Sequence, residues 1–280
     1  MITTRTPLRI TFGGGGSDLA PGGLCVSATI DKFITVTVST NFDARYVLHY
    51  SQSENVEHAE DIQHRLLRRV LVDTATPPGI QVATAADIPA GTGLGSSGAF
   101  TVGLLKALYP EASKPALARM ACRMDIGQQD QWSAVYGGVN AYDFKSGMLR
   151  PIETTVDSYL ELHYTGLRHD AAAVVTGQSV TRRAALDQVS TAVQALEAND
   201  PAWLGECFLT QWAAKLDRAP TPTHQQIDRL IRDGIGQGAY GGKLVGAGDG
   251  GFLLFSTPVP LELGLRKVPF QFHHDGVRCM

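Results

Sequence analysis

The sequence predicts a mixed α+β fold, built either as one domain or as two closely packed lobes. Three observations carry that expectation. Strand-like and helix-like runs alternate along the chain; 280 residues, 44% of them hydrophobic, are enough to bury a substantial core; and no linker, low-complexity tract or repeat divides the sequence. Charged residues make up 18% and the net charge is −3. That balance argues against disorder and offers no basic face for nucleic acid or an anionic membrane surface.

Taken in order, residues 9–12, 33–39, 46–50 and 80–84 read as strands on their β-branched and aromatic content. Residues 57–72 have helical spacing, with Ile62, Leu66, Leu67 and Val70 on one face. An apolar helix is expected over 97–108, and Ser113 with Pro115 opens another that runs to about Met124. In the second half, 138–144, 149–154 and 159–164 read as strands, followed by helices over 178–198, 200–215 and 222–233. Thr221 and Pro222 open the last of these helices and Gly234 closes it. Strands at 251–255 and 268–273 complete the chain. A lobe boundary is expected near 150, giving lobes of 1–150 and 151–280.

Cys25, Cys122, Cys207 and Cys279 are far apart and show no CxxC pair, so neither a zinc site nor a disulfide framework is expected. No apolar run reaches the roughly 18 residues a membrane span requires. The expectation is a soluble cytoplasmic protein.

Residues 88–100, IPAGTGLGSSGAF, set four glycines and two serines between a strand-like and a helix-like run. Residues 93–98 spell GxGxxG, the dinucleotide fingerprint, but the context is wrong. Pro89 separates the strand from the glycines, and Glu111 and Asp125, the acidic residues nearest the expected distance, do not sit at a strand end. A P-loop is excluded because no lysine follows the glycines. Two readings remain. One is a phosphate-binding loop in which backbone amides and the positive end of a helix attract an anion while Ser96 and Ser97 add hydroxyls; the other is a plain loop with a serine helix cap.

Two further glycine loops favour function. RTPLRITFGGGGSD (5–18) follows a strand-like run with glycines, Ser17 and Asp18, and GGKLVGAGDGGFLLF (241–255) sets a third glycine run between apolar segments. Each gives up local stability for backbone freedom.

The order of these three segments, together with SATIDKFITVTV and QQDQWSAVYGGVNAYDF, resembles the GHMP kinase superfamily of galactokinase, homoserine kinase, mevalonate kinase and phosphomevalonate kinase. Within it the chain is similar to the sugar-kinase branch typified by D-glycero-D-manno-heptose 7-phosphate kinase. The resemblance implies an N-terminal lobe with a ribosomal protein S5-like fold and a ferredoxin-like C-terminal lobe, with ATP and acceptor in the cleft between them. It implies that Gly91, Gly93, Leu94, Gly95, Ser96, Ser97 and Gly98 wrap the nucleotide phosphates and that Ser97 is a Mg²⁺ ligand. Asp130 matches the catalytic base and Arg9 an arginine that stabilises charge near the transferred phosphate. Gly14, Gly15, Gly16, Ser17 and Asp18 match the acceptor-binding element, and Gly246, Gly248 and Gly250 the third motif. Beside these roles stand plainer ones: a surface aspartate at a helix start for Asp130, a solvated strand arginine for Arg9, and a helix cap for Asp18.

The pattern breaks in two places. The metal-binding glutamate usual in the family, about a dozen residues before the catalytic aspartate, has no counterpart; Asp125, five residues before Asp130, is the nearest equivalent and is taken as the second metal ligand. Asp249 occupies a position normally glycine, where a carboxylate repels phosphate unless it meets solvent or a cation. The leading expectation is an ATP- and Mg²⁺-dependent kinase acting on a sugar hydroxyl, the anomeric one of a heptose 7-phosphate. The rivals are a cyclitol kinase, a catalytically silent ligand sensor of the same fold, and a decarboxylase of the same superfamily. Lys32, Arg168, Arg182 and Arg183 are candidates for holding an acceptor's distal phosphate. The expected partner is a small sugar or sugar phosphate, with no nucleic acid and no membrane; a homodimer is the oligomer considered.

Overall fold

The 17-residue strand Leu24–Thr40 (β2) organises the first sheet in the computed structural model, which describes residues 1–19, 22–167, 180–218, 221–246 and 249–280. Its run of β-branched residues is buried over most of its length, as suits a strand covered on both faces. From Val26 to Val38 it pairs antiparallel with β1 (Ile2–Gly13), with two register shifts. On its other edge the first part pairs with β6 (Val139–Asp143) and the last part with β5 (Ile80–Ala86). Beyond β5 lie β3 (Tyr46–His49), parallel to it, and then β4 (Ser53–Val56), while β7 (Met148–Pro151) flanks β6.

A second sheet has the order β11 (Arg266–Val268), β8 (Leu160–Tyr164), β10 (Phe252–Ser256), β9 (Gly241–Leu244), all antiparallel. The chain end returns to the first sheet, where β12 (Arg278–Cys279) pairs with β1. The helices are α1 (Arg65–Asp73), α2 (Ser96–Leu108), α3 (Lys114–Met124), α4 (Gln129–Tyr136), α5 (Arg182–Glu197), α6 (Pro201–Arg218) and α7 (Pro222–Gly236). No helix among the described residues is long and apolar enough to cross a membrane.

Helix α2 is buried almost all round and packs on β1, β2, α3 and α4. Thr4 Oγ1 donates to the Gly103 carbonyl at 2.9 Å. One hydrophobic core runs through both sheets, joining Phe12 and Val26 of the first to Leu162, Phe252 and Leu254 of the second. Phe12 stacks on Phe208 of α6, with ring centroids 6.3 Å apart.

The strands expected over 9–12 and 33–39 are parts of the longer β1 and β2, and three further differences have a visible cause. The helix expected over 57–72 begins only at Arg65, because the Glu54 carboxylate accepts from the amides of Gln63, at 2.6 Å, and His64, at 3.1 Å, and holds that stretch out of the helix. Gly234 does not end α7, which runs to Gly236; a Cβ at 234 would lie 2.5 Å from Phe255 Cε1, so the glycine serves packing against β10. The strand expected over 268–273 stops at Val268, since Pro269 has no N–H for the ladder. The chain then crosses to the first sheet, where the His273 amide donates to the Thr29 carbonyl at 2.9 Å.

Candidate active site

Between the two sheets lies a cleft of about 920 Å³. One wall is the glycine loop before α2. Gly93 and Gly95 have φ of +86° and +75°, a conformation glycine adopts without the penalty other residues meet. Gly95 is the residue before the first turn of α2, and no side chain caps that helix. Its leading amides therefore face the loop's own concavity, the arrangement that suits an anion. The third glycine segment packs directly on this loop: a Cβ on Gly93 would sit 2.3 Å from the Val245 carbonyl oxygen, and one on Gly246 would sit 2.6 Å from Gly93 Cα.

Arg9 ties the loop to the first turn of α4. Its backbone amide donates to the Leu94 carbonyl at 3.0 Å and its Nη1 to the Gly93 carbonyl. Its Nε and Nη2 reach Asp130 Oδ1 at 2.8 and 2.7 Å. Both contacts fall on one oxygen, so Oδ2 is left without a protein partner among the described residues. Arg9 is only 7% exposed while Asp130 keeps part of its side chain open to the cleft, which excludes the reading of Arg9 as a solvated strand cation.

Asp18 accepts from the amides of Gln128, at 3.0 Å, and Gln129, at 3.1 Å, and so caps the helix that carries Asp130. It also lines the cleft. Burial and the nearby Asp130 push its carboxyl above the usual range, against the opposing pull of those two amides and Arg9. Two carboxylates thus share the floor of the cleft with one arginine.

Of the residues expected in the site, Arg9, Gly15, Gly16, Asp18, Gly91, Gly93, Gly95, Ser96, Ser97, Asp125, Asp130 and Gly246 line this one cleft. Leu94, Gly98, Gly14, Ser17 and Gly250 lie behind it. Gly98 allows α2 to approach α4, since a Cβ there would come 2.5 Å from Asp130 Cβ. Ser17 staples its loop by donating to the Leu24 carbonyl and accepting from the Leu24 amide. Gly14 donates its amide to Gln188 Oε1 at 3.3 Å. A Cβ on Gly250 would meet Leu167 Cβ at 2.5 Å. Gly248 and Arg168 lie outside the described residues.

Ser97 and Asp125 are oxygen donors of the kind that hold Mg²⁺ beside phosphate oxygens and water. The Asp125 carboxylate lies 3.5 Å from Arg65 Nη2. Among the described residues no three His, Cys, Asp or Glu side chains gather as a metal site, so a divalent ion here would draw most of its shell from ligand and water. Asp249, the departure in the third motif, meets His224 Nε2 and Thr221 Oγ1, both at 3.1 Å, and its charge is felt by Lys215.

Three of the four cations expected for a distal phosphate are elsewhere. Lys32 pairs with Asp31, Arg182 pairs with Asp143, Arg183 is exposed on α5, and none of the three lines the cleft. The cleft instead takes Lys215 and Arg218 from α6 and Lys243 from β9. It also has an apolar face that motif reading passed over, including Ile34, Tyr50, His64, Ile88 and Phe100. Tyr50 meets His64 edge-on with centroids 4.7 Å apart, and burial lowers the His64 pKa. Ile88 and Phe100 bracket the glycine segment, whereas Ile34, Tyr50 and His64 come from separate stretches to which the sequence assigned no site role.

A glycine loop at a helix start, a buried arginine paired with a partly exposed aspartate beside it and a third loop packed across it define a kinase of the GHMP class. The family models agree: the GHMP kinases N terminal domain matches residues 59–138 and the GHMP kinases C terminal domain residues 192–274, more than half of the chain between them, and the chain belongs to this family. It is a phosphotransferase with an alcohol group as acceptor. Among curated proteins, D-glycero-alpha-D-manno-heptose 7-phosphate kinase of Campylobacter jejuni is 28% identical over 99% of this chain and 98% of its own. A D-glycero-D-manno-heptose 1-phosphate kinase from Bacteriodes thetaiotaomicron shares the fold with a TM-score of 0.74, at 23% identity, over 100% of this chain and 99% of that one. Lactococcus lactis galactokinase complexed with galactose does so at 0.78, with 15% identity, over 99% and 94%.

Proposed function

We propose that the protein uses ATP and Mg²⁺ to phosphorylate a sugar hydroxyl, the anomeric hydroxyl of a heptose 7-phosphate. The observation that carries this reading is Arg9 linking Asp130 to the carbonyl of Gly93, because it fixes a proton acceptor against a loop suited to phosphate. The kinship with a heptose 7-phosphate kinase supports the choice of acceptor.

In this reading the apolar face around Tyr50 and Phe100 takes the base of the nucleotide. Gly91, Gly93, Gly95, Ser96 and Ser97 take its phosphates through backbone amides and hydroxyls, with Leu94 and Gly98 setting the shape of the loop from behind. Ser97 and Asp125 are the protein ligands for Mg²⁺, which when bound neutralises phosphate charge. Gly15, Gly16, Asp18 and Gly246 border the acceptor, supported by Gly14, Ser17 and Gly250. The acceptor hydroxyl oxygen forms a bond to the γ-phosphorus as the bond to the bridging oxygen of ADP breaks, and its proton passes to Asp130 Oδ2. Arg9 holds Oδ1 throughout. Positioning and charge stabilisation supply most of the rate.

The test is ADP release over a panel of sugars, sugar phosphates and cyclitols. The reading expects the heptose 7-phosphate to give the highest kcat/KM. Preference for a cyclitol would replace the acceptor, and thermal stabilisation by ligands with no ADP formed would replace the kinase by a silent sensor.

A further inference from the structure

Lys243 is 6% exposed, yet it lines the cleft. Its Nζ donates to the Phe12 carbonyl at 3.2 Å and to Gln211 Oε1 at 2.7 Å, and lies 4.9 Å from the centroid of the Phe208 ring. These acceptors are all uncharged, and among the described residues no carboxylate forms an ion pair with it. An ammonium has three donors, and two are used by these bonds. Lys215, 8% exposed, donates to the Gly246 carbonyl at 3.0 Å, and Arg218 lies one turn further along α6, also on the cleft. A buried lysine is rare unless something negative balances it. Here burial first, then the neighbouring Lys215 and Arg9 charges, bring Lys243 down to about 7, and burial brings Lys215 down to about 8 against the pull of the single carboxylate of Asp249. Such a cluster is costly in the unliganded protein and favourable around an anion.

The anchors of Lys243 show which side of the cleft it serves, while Lys215 hangs from Gly246, where the third motif packs on Gly93. The Phe12 carbonyl that holds both Lys243 and the Gln211 amide lies on β1 just before the Gly14–Asp18 loop, not on the loop before α2. A phosphate monoester carries about −1.5 to −2 at neutral pH and takes more than one cation, whereas a carboxylate carries a single charge. We propose that Lys243 and Lys215, with Arg218, form a subsite for a phosphate monoester already present on the acceptor, separate from the phosphoryl group being transferred. This rests on the reading above, in which the acceptor is a heptose 7-phosphate, and assigns the residues that hold the phosphate it already carries.

The experiment compares wild type, Lys243→Met and Lys243→Arg with D-glycero-D-manno-heptose 7-phosphate and the unphosphorylated heptose. Wild type should prefer the phosphorylated acceptor. Lys243→Met should lower its kcat/KM about 10- to 100-fold, leave KM for ATP nearly unchanged, and erase the preference, with partial rescue by Lys243→Arg. Equal use of both acceptors by wild type, or a change confined to KM for ATP, overturns the proposal while leaving the kinase standing. A second readout needs no turnover: mannose 6-phosphate, but not mannose, should raise the Tm of wild type and fail to raise that of Lys243→Met. A shift seen without ADP formation from any acceptor keeps the subsite and refutes the kinase. An ATP analogue raising the Tm of the variant verifies its fold; should Lys243→Met not fold, Lys215→Met takes its place in both arms.

Discussion

Arg9 grips a single oxygen of Asp130 from two nitrogens, at 2.8 and 2.7 Å, while its third nitrogen holds the Gly93 carbonyl. One side chain from the middle of β1 thereby fixes the start of α4 against the loop before α2. The carboxylate is oriented by its own partner, and its second oxygen is left for chemistry.

Asp130→Asn keeps the size of this side chain and removes its basicity. Turnover is expected to fall about 10²- to 10⁴-fold, while calorimetric titration with a non-hydrolysable ATP analogue gives nearly wild-type affinity. Undiminished ADP release would remove Asp130 as the base.

Arg9→Met withdraws the one cation between Asp18 and Asp130. Burial first and then Asp130 raise the Asp18 carboxyl, and Arg9 opposes them, so without the arginine Asp18 holds its proton to higher pH. Carboxyl-carbon NMR titration of the variant should place Asp18 above its wild-type value, and ADP release should fall because Asp130 loses the partner that orients it; an unmoved Asp18 titration with full turnover would contradict this.

Asp18→Asn should trade activity for stability. Because burial and Asp130 raise the folded-state pKa of Asp18 above 3.8, the native state holds this proton more tightly than the unfolded chain. Ionised Asp18 therefore costs stability as the pH rises from 3.8 through the folded value, and the cost is absent below both. Asparagine still offers a carbonyl to the amides of Gln128 and Gln129. Melting curves should show a higher Tm for the variant at neutral pH, converging with wild type below pH 3.8. A lower Tm at neutral pH would mean that the ionised cap is a net stabiliser.

Gly93→Ala and Gly147→Ala separate strain from collision. Both glycines have positive φ, +86° and +69°, but a Cβ at 147 meets nothing within 4 Å, whereas one at 93 would lie 2.3 Å from the Val245 carbonyl oxygen. Gly147→Ala should cost about 1–2 kcal/mol in denaturant titration and leave activity intact. Gly93→Ala should cost more and also abolish nucleotide-analogue binding, because the loop and the third motif are forced apart.

Much of this was readable from the chain, for local reasons. The glycine runs mark places where backbone freedom outweighs propensity, and the apolar stretch before Leu108 marks a helix buried on most faces. Motif order brought Arg9, Asp18, Ser97 and Asp130 to notice. Lys215 and Arg218 were passed over because lysine and arginine on a mixed helix look like a solvated face, and only the seating of α6 over β1 and β9 turns them toward the cleft. Arg182 was considered for the wrong task for the complementary reason: its charge is evident in sequence, its partner Asp143, 39 positions away, is not.

The sequence by itself determined that strands and helices alternate and where the glycine turns fall, since those depend on neighbours along the chain and on which backbone conformations each residue tolerates. Only the tertiary structure decided which charges meet. Arg9 and Asp130 are 121 positions apart, and the energy of their pairing depends on distance and desolvation, neither of which exists until the sheets have packed.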